Sequence, residues 1–293
     1  MKIRGHESFF IRKGWLFKGL KNVEEKDDVF TDKNNNPMDV LGLGSNMVKS
    51  LRYWLQAVGL TEENKSGLRR QRVTRFGQII WDNDKYMEEL GSLWLLHHKL
   101  SSNIENATSW YFFFNEFQMS EFKKEDFVLA LSNHVKMKYG VDLAEASFEN
   151  DFECIVNTYI PRNKSNPGKV TPENNIDCPL GELGLLEIAN KKERIYRKTQ
   201  PIEDTVHPLI LLSVILSNSN QEKEIKISKL LSEKCNVGKS FNLDMVVLMK
   251  LLYQIEKLGY IKVVRTAGLD VVKIITSMSA EVCMEAYYAK LRE

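Results

Sequence analysis

The sequence predicts a mainly α fold with small β hairpins, arranged as two winged-helix-like units joined by a helical middle region. Three observations predict it. Near each end of the chain, short helix-forming stretches precede two short strand-forming runs. Apolar residues recur at helical spacing through most of the segments between. A stretch dense in Pro, Asn and Gly then separates the two halves. The 293 residues suit two units of roughly 100 to 150 residues each. We expect an N-terminal unit with a helical extension over 1–160, a linker and connecting segment over 161–206, and a C-terminal unit over 207–293, with one compact domain as the alternative. Apolar residues at 43% and charged residues at 27% exclude a disordered, collagen-like or disulfide-stapled chain.

In the first unit, Phe10 to Leu20 (FIRKGWLFKGL) predicts a short helix that turns Trp15, Leu16 and Phe17 inward. Gly14 weakens it. The polar run Lys21 to Asn36 predicts a connector, and Pro37 suits the start of a helix. Met38 to Leu41 then predicts a short helix, Gly42-Leu43-Gly44 a turn, and Ser45 the cap of a longer helix. In that helix Met47, Leu51, Leu55 and Val58 form an apolar stripe for the core, while Asn46, Lys49, Ser50 and Tyr53 share another face. An exposed face of this kind suits a recognition helix, because Asn pairs with adenine, Lys reaches guanine or phosphate, and Tyr contacts backbone or bases. The next stretch, KSGLRRQRVTR, carries Lys65, Arg69, Arg70, Arg72 and Arg75 and no acid, as a phosphate-binding hairpin would.

The middle of the chain predicts helices over Asp84 to Leu100, Glu125 to Met137 and Glu145 to Tyr159. His97 and His98 lack an acidic or thiol partner at ligand spacing, so packing or surface histidines are expected. The aromatic run from Ser109 to Phe122 contains no basic residue, which favours core over a base-stacking platform. Pro161 to Pro179 predicts the linker. In the second unit, Pro208 to Leu216, Ser228 to Cys235 and Asn242 to Leu258 predict helices, with Asn242 as the cap of the last. Tyr260 to Val264 and Asp270 to Ile275 predict a hairpin across Ala267-Gly268-Leu269. This unit is poor in cations on its long helix and suits packing or partner binding. Gly238-Lys239-Ser240 resembles the end of a phosphate-binding loop, but Glu233 stands where the first glycine belongs, which argues against ATP.

Charge and composition exclude other classes. The net charge of +2 does not by itself imply a polyanionic partner, so only the local basic run does. Cys154, Cys178, Cys235 and Cys283 are far apart, without paired ligand spacing, so no metal site and no disulfide framework is expected. Met1 to Glu7 is basic but has no apolar core of a leader, and no run reaches ~18 apolar residues, so a cytoplasmic protein without membrane contact is expected.

Several stretches resemble a bacterial uncharacterised-domain family found in DNA phosphorothioation and phage-defence cassettes. They are Gly5-His6-Glu7-Ser8-Phe9 with Arg12, Trp15-Leu16 and Lys18; Leu41-Gly42-Leu43-Gly44 through Tyr53-Trp54; Asp177-Cys178-Pro179-Leu180; and Ala267-Gly268-Leu269-Asp270. The resemblance covers most of the chain and implies an SspB-like DNA-nicking component that acts on double-stranded DNA with other proteins of the phosphorothioation system. It carries no catalytic residues with it. On chemistry alone His6 and Glu7 are the local acid-base candidates, against a purely structural role in capping and packing the first helix. No cofactor is required by the sequence, although a nicking reaction would call for Mg2+ or Mn2+. A transcriptional regulator and an assembly scaffold for a modification complex are the alternatives.

Overall fold

The computed structural model describes residues 1–64, 69–161, 177–202, 204–266 and 269–293, of which about half are helical. Gly14, at φ +81°, marks where the first helix can begin, so α1 runs Trp15–Glu25 rather than from Phe10. The short helix α2 (Pro37–Leu41) is capped by Asn36 and ends at Gly42, φ +59°. Helix α3 (Ser45–Ala57) follows, with Gly44 as its cap and Ser45 already inside it. Strands β1 (Thr61–Glu63) and β2 (Gln71–Val73) form an antiparallel hairpin in which Glu62 lies opposite Arg72.

The middle consists of α4 (Arg75–Asp84), α5 (Leu90–Ser102), α6 (Thr108–Asn115), β3 (Glu121–Phe122), α7 (Lys124–Tyr139) and α8 (Glu145–Tyr159). A 3-10 turn at Pro179–Leu183 leads into β4 (Leu186–Asn190) and β5 (Ile195–Lys198). Strand β5 lies between β3 and β4, so the stretch expected to be a connector is stitched by a ladder to the preceding helical region. Most of the expected linker, including Arg162, Lys164 and Lys169, lies outside the described residues.

The last part comprises α9 (Pro208–Asn218), β6 (Glu224–Lys226), α10 (Ile227–Ser232), α11 (Val237–Ser240), α12 (Met245–Lys257), β7 (Ile261–Thr266), β8 (Leu269–Ile274) and α13 (Ala280–Lys290). Its sheet has the order β6-β8-β7, all antiparallel. The long helix starts at Met245, with Asp244 accepting from the Val247 N–H at 2.8 Å; Asn242 instead donates to the Thr199 carbonyl. Gly238 packs so tightly that a Cβ there would lie 2.2 Å from the Leu231 carbonyl oxygen, a packing reason for the glycine of Gly238-Lys239-Ser240.

One apolar core runs from Ile11 to Tyr288. The aromatic run expected in the core is there: Trp110, Tyr111, Phe112, Phe113, Phe114, Phe117 and Phe122 are all buried. His97 and His98 are buried too. His97 joins three elements: its Nδ1 pairs with the Tyr159 hydroxyl at 2.8 Å and its Nε2 with the Ser240 carbonyl at 2.6 Å. Helix α13 packs on both α9 and α4, bringing the last helix back against residues 75–84. Tyr287 accepts the Gly91 N–H there, and Tyr288 shares a hydrogen bond with Ser92.

Candidate nucleic-acid interface

The surface of interest is assembled from α3, the β1–β2 hairpin and residues 1–9. Helix α3 turns Leu51, Trp54 and Leu55 into the core, as its apolar spacing requires. Asn46 and Lys49 are exposed, with Lys49 Nζ 3.5 Å from Asn46 Oδ1. Ser50 and Tyr53 are not. They are 0% and 3% exposed, so the expected four-residue polar face is corrected to Asn46 and Lys49 alone.

The chain's own first residues cover the rest of that face. Phe9 O accepts from Ser50 Oγ at 3.3 Å and from Trp54 Nε1 at 2.8 Å. Gly5 lies on the Tyr53 ring, where a Cβ would come within 2.5 Å of Tyr53 Cε2. Lys2 Nζ sits 4.9 Å from the centre of the same ring. Burial first, and the nearby Asp151 second, push the Tyr53 phenol well above its ordinary pKa and keep it neutral.

His6 is fully buried beneath this segment, stacked on Trp54 and edge-on to Tyr53 and Trp110. The Ser8 N–H donates to His6 Nδ1 at 3.1 Å, so the ring proton sits on Nε2, which donates to Asp151 Oδ1 at 2.8 Å. Asp151 also accepts from the Arg4 N–H at 2.9 Å and, through its other oxygen, from the Ser109 hydroxyl. With both ring nitrogens engaged and no exposure, His6 offers no atom to a substrate in this arrangement. Its neighbour Glu7 is exposed, at φ +49°. The pair expected to work together is therefore divided between core and surface.

The hairpin cations differ in how freely they can be used. Arg69 and Arg72 are exposed. Arg70 faces Asp27 at 3.5 Å, and Arg75 is paired with Glu285 at 2.6 Å. Arg52, on α3, holds Glu63 through two hydrogen bonds of 3.0 and 2.7 Å. Lys65 lies outside the described residues. Sequence reasoning missed Lys2, Arg4, Ser109 and Asp151, since Asp151 is 145 positions from His6 and no local pattern links them.

Among the described residues no helix is long and apolar enough to cross a membrane, and no group of three or more His, Cys, Asp or Glu is gathered as if to hold a metal ion. A family model described as a protein of unknown function, DUF4007, matches residues 3–288. Two crystal structures of SspB match over 100% of this chain and 89% of their own, both at 25% identity. One is magnesium ion-bound, with a TM-score of 0.85, and the TM-score of the other is 0.84. No curated protein matches.

Proposed function

The chain belongs to the DUF4007 family of proteins of unknown function, and from that premise we propose that it is a DNA-binding component of a bacterial phosphorothioate-modification and phage-defence system. The observation that carries this reading is the likeness to SspB over the whole of this chain and 89% of that one. The exposed surface of Asn46, Lys49, Arg69 and Arg72 on adjoining elements supplies its physical side. In this reading both ends of the chain are winged-helix units. The first has the order α1, α2, α3, β1, β2, and the second has α9, β6, α10, α11, α12, β7, β8 with the sheet order β6-β8-β7. Arg69 and Arg72 bind phosphates and fix the register of α3, and Asn46 and Lys49 contact base edges.

Replacing Arg69 and Arg72 together with Ala should weaken binding to every duplex alike and lower the slope of log affinity against log salt by about 0.9 for each phosphate that is no longer neutralised. A folded variant with unchanged affinity would remove the hairpin from the interface. Strand nicking is a separate part of the proposal, motivated by the magnesium-bound SspB and the implied role of the family. It is tested with supercoiled plasmid, with and without Mg2+ or Mn2+, by scoring open circles beside a gel shift. Binding without open circles leaves a recruiter or regulator.

One observation favours an assembly role for the second unit. Helix α12, which occupies the recognition position there, exposes Val246 (76%), Tyr253 (47%) and Met245 (43%) beside Lys250 and Lys257, of which Lys250 is paired with Asp204 at 3.6 Å, and Arg265 at its hairpin is paired with Asp270. A chain acting only as a scaffold would show no salt-sensitive DNA binding.

A further inference from the structure

Residues 1–9 have an unusual backbone. Arg4 (φ +58°), Glu7 (φ +49°) and Ser8 (φ +66°) are all left-handed, a conformation that L-residues other than glycine disfavour. The segment is nevertheless held at every step. The Lys2 N–H donates to Thr108 Oγ1 at 2.9 Å and the Arg4 N–H to Asp151. His6 is locked between Ser8 and Asp151, and Phe9 O is bonded to α3. Phe9 N closes a turn on the His6 carbonyl at 2.8 Å. Such backbone is retained only where the surroundings over-determine it, and here the surroundings include a buried carboxylate that accepts three hydrogen bonds.

The fixed segment presents cations. Lys2 and Arg4 are exposed, and no described carboxylate forms an ion pair with either. Lys2 lies within electrostatic reach of Arg52 and Arg69, with Glu63 and Glu7 as the opposing charges. Glu63 is already committed to Arg52. Through Lys2 the segment therefore joins the cations of α3 and the hairpin, with Arg4 exposed two positions on, and it occupies the part of the α3 face that would otherwise show Ser50 and Tyr53.

We propose that Lys2 and Arg4, set in place by the buried Asp151–His6–Ser109 network, form a phosphate-binding arm that extends the α3–hairpin surface along duplex DNA. This rests on the DNA-binding reading above. The arm takes over the place of Tyr53 on the α3 face and, set toward the Arg69 side of the surface that is assigned to phosphates, contacts the backbone. Asp151 is a positioning residue, too deep to touch DNA.

The test is fluorescence anisotropy with a labelled duplex over a series of salt concentrations, on the full chain. Lys2→Ala with Arg4→Ala should weaken binding at all sequences and reduce the salt slope by about 1.8, from two phosphates at ~0.9 each. The exchange Lys2→Arg with Arg4→Lys should restore it. Asp151→Asn, in whatever fraction remains folded, should reduce the slope as the arm variant does; a merely structural role would lower the melting temperature and leave the slope alone. Should Asp151→Asn fail to fold, the arm variant decides, because its side chains are exposed. An arm variant with unchanged affinity and slope, while Arg69→Ala with Arg72→Ala loses both, overturns the arm and leaves the DNA reading standing. No binding by the unaltered chain at any salt overturns both.

Discussion

At the scale of single residues, Gly5 shows how a small sequence feature positions a surface. Its α-carbon lies against Tyr53, and an added methyl would meet both Tyr53 Cε2, at 2.5 Å, and Cδ2, at 2.6 Å. The Tyr53 ring cannot simply withdraw, because it is buried and packs against Trp54 with centroids 5.0 Å apart. Gly5→Ala should therefore cost about 1–3 kcal/mol, as overpacking does, read as a lower urea midpoint at unchanged m-value. An unaltered midpoint would mean that residues 1–9 are not seated on α3 as described. The sequence made Gly5-His6 visible as a motif but not its purpose. Helical spacing on α3 correctly separates the Leu51 and Leu55 stripe from another face, yet it cannot report that a segment some forty positions upstream lies on part of that face. Ser50 and Tyr53 look polar enough for solvent and are in fact partners of Phe9 O and of the Gly5 backbone.

At the scale of elements, the legible parts are those governed by local chemistry. Helices with long apolar repeats, such as α3 and α12, fall close to where their spacing places them, and the hairpin β7–β8 falls where its flanking runs do, whereas strand β1 lies ahead of the basic stretch expected to form the first hairpin. The short strands β3 and β6 were not legible. Two or three residues carry no period, and their pairing with β5 and β8 is set by tertiary packing. Ends of helices depend on which oxygen reaches the free N–H groups, and here Asp244, not Asn242, caps α12. Asp244→Ala should lower stability by about 1 kcal/mol through removal of that cap, measured by urea denaturation. Asp244→Asn should preserve most of it, since an amide oxygen caps about as well as a carboxylate. On α3, Lys49→Ala should change the preference among duplex sequences if Lys49 meets a base, at ~1–3 kcal/mol between best and worst sites, measured by competition binding. A loss equal at all sites would place Lys49 on phosphate.

At the scale of the whole molecule, the two ends are tied together by buried polar groups that dislike protons. Burial pushes His97 down to about 3 against the opposing effect of the Ser240 carbonyl, and pushes His98 down to about 4 against that of the Cys235 carbonyl. Both imidazoles are thus neutral in the folded chain, and each links α5 to the segment around α11. In the unfolded chain they take up protons near pH 6.5. The unfolded state then binds more protons than the folded one throughout the interval from about 6.5 down to about 3 to 4. The stability these groups contribute is therefore complete above about pH 6.5 and is lost as the pH falls through that interval. Lys198, pushed down to about 7 by burial while donating to the Phe113 and Phe117 carbonyls, adds a slope of the same sign above neutrality, because the unfolded amine stays protonated to about 10.5. Melting temperature should accordingly rise with pH from about 4.5 to about 9. His97→Gln separates the cause: it gives up the hydrogen bonds to Tyr159 and Ser240 and so lowers stability at about pH 7.5, but it also removes one titrating imidazole and so flattens the acid limb. A variant destabilised by the same amount at about pH 7.5 and about pH 5 would show that His97 is not the group being protonated. The same variant tests whether the two ends unfold together, since a single cooperative transition that moves as a whole is expected of one continuous core, and two separated transitions would restore the boundary that the Pro- and Asn-rich stretch suggested.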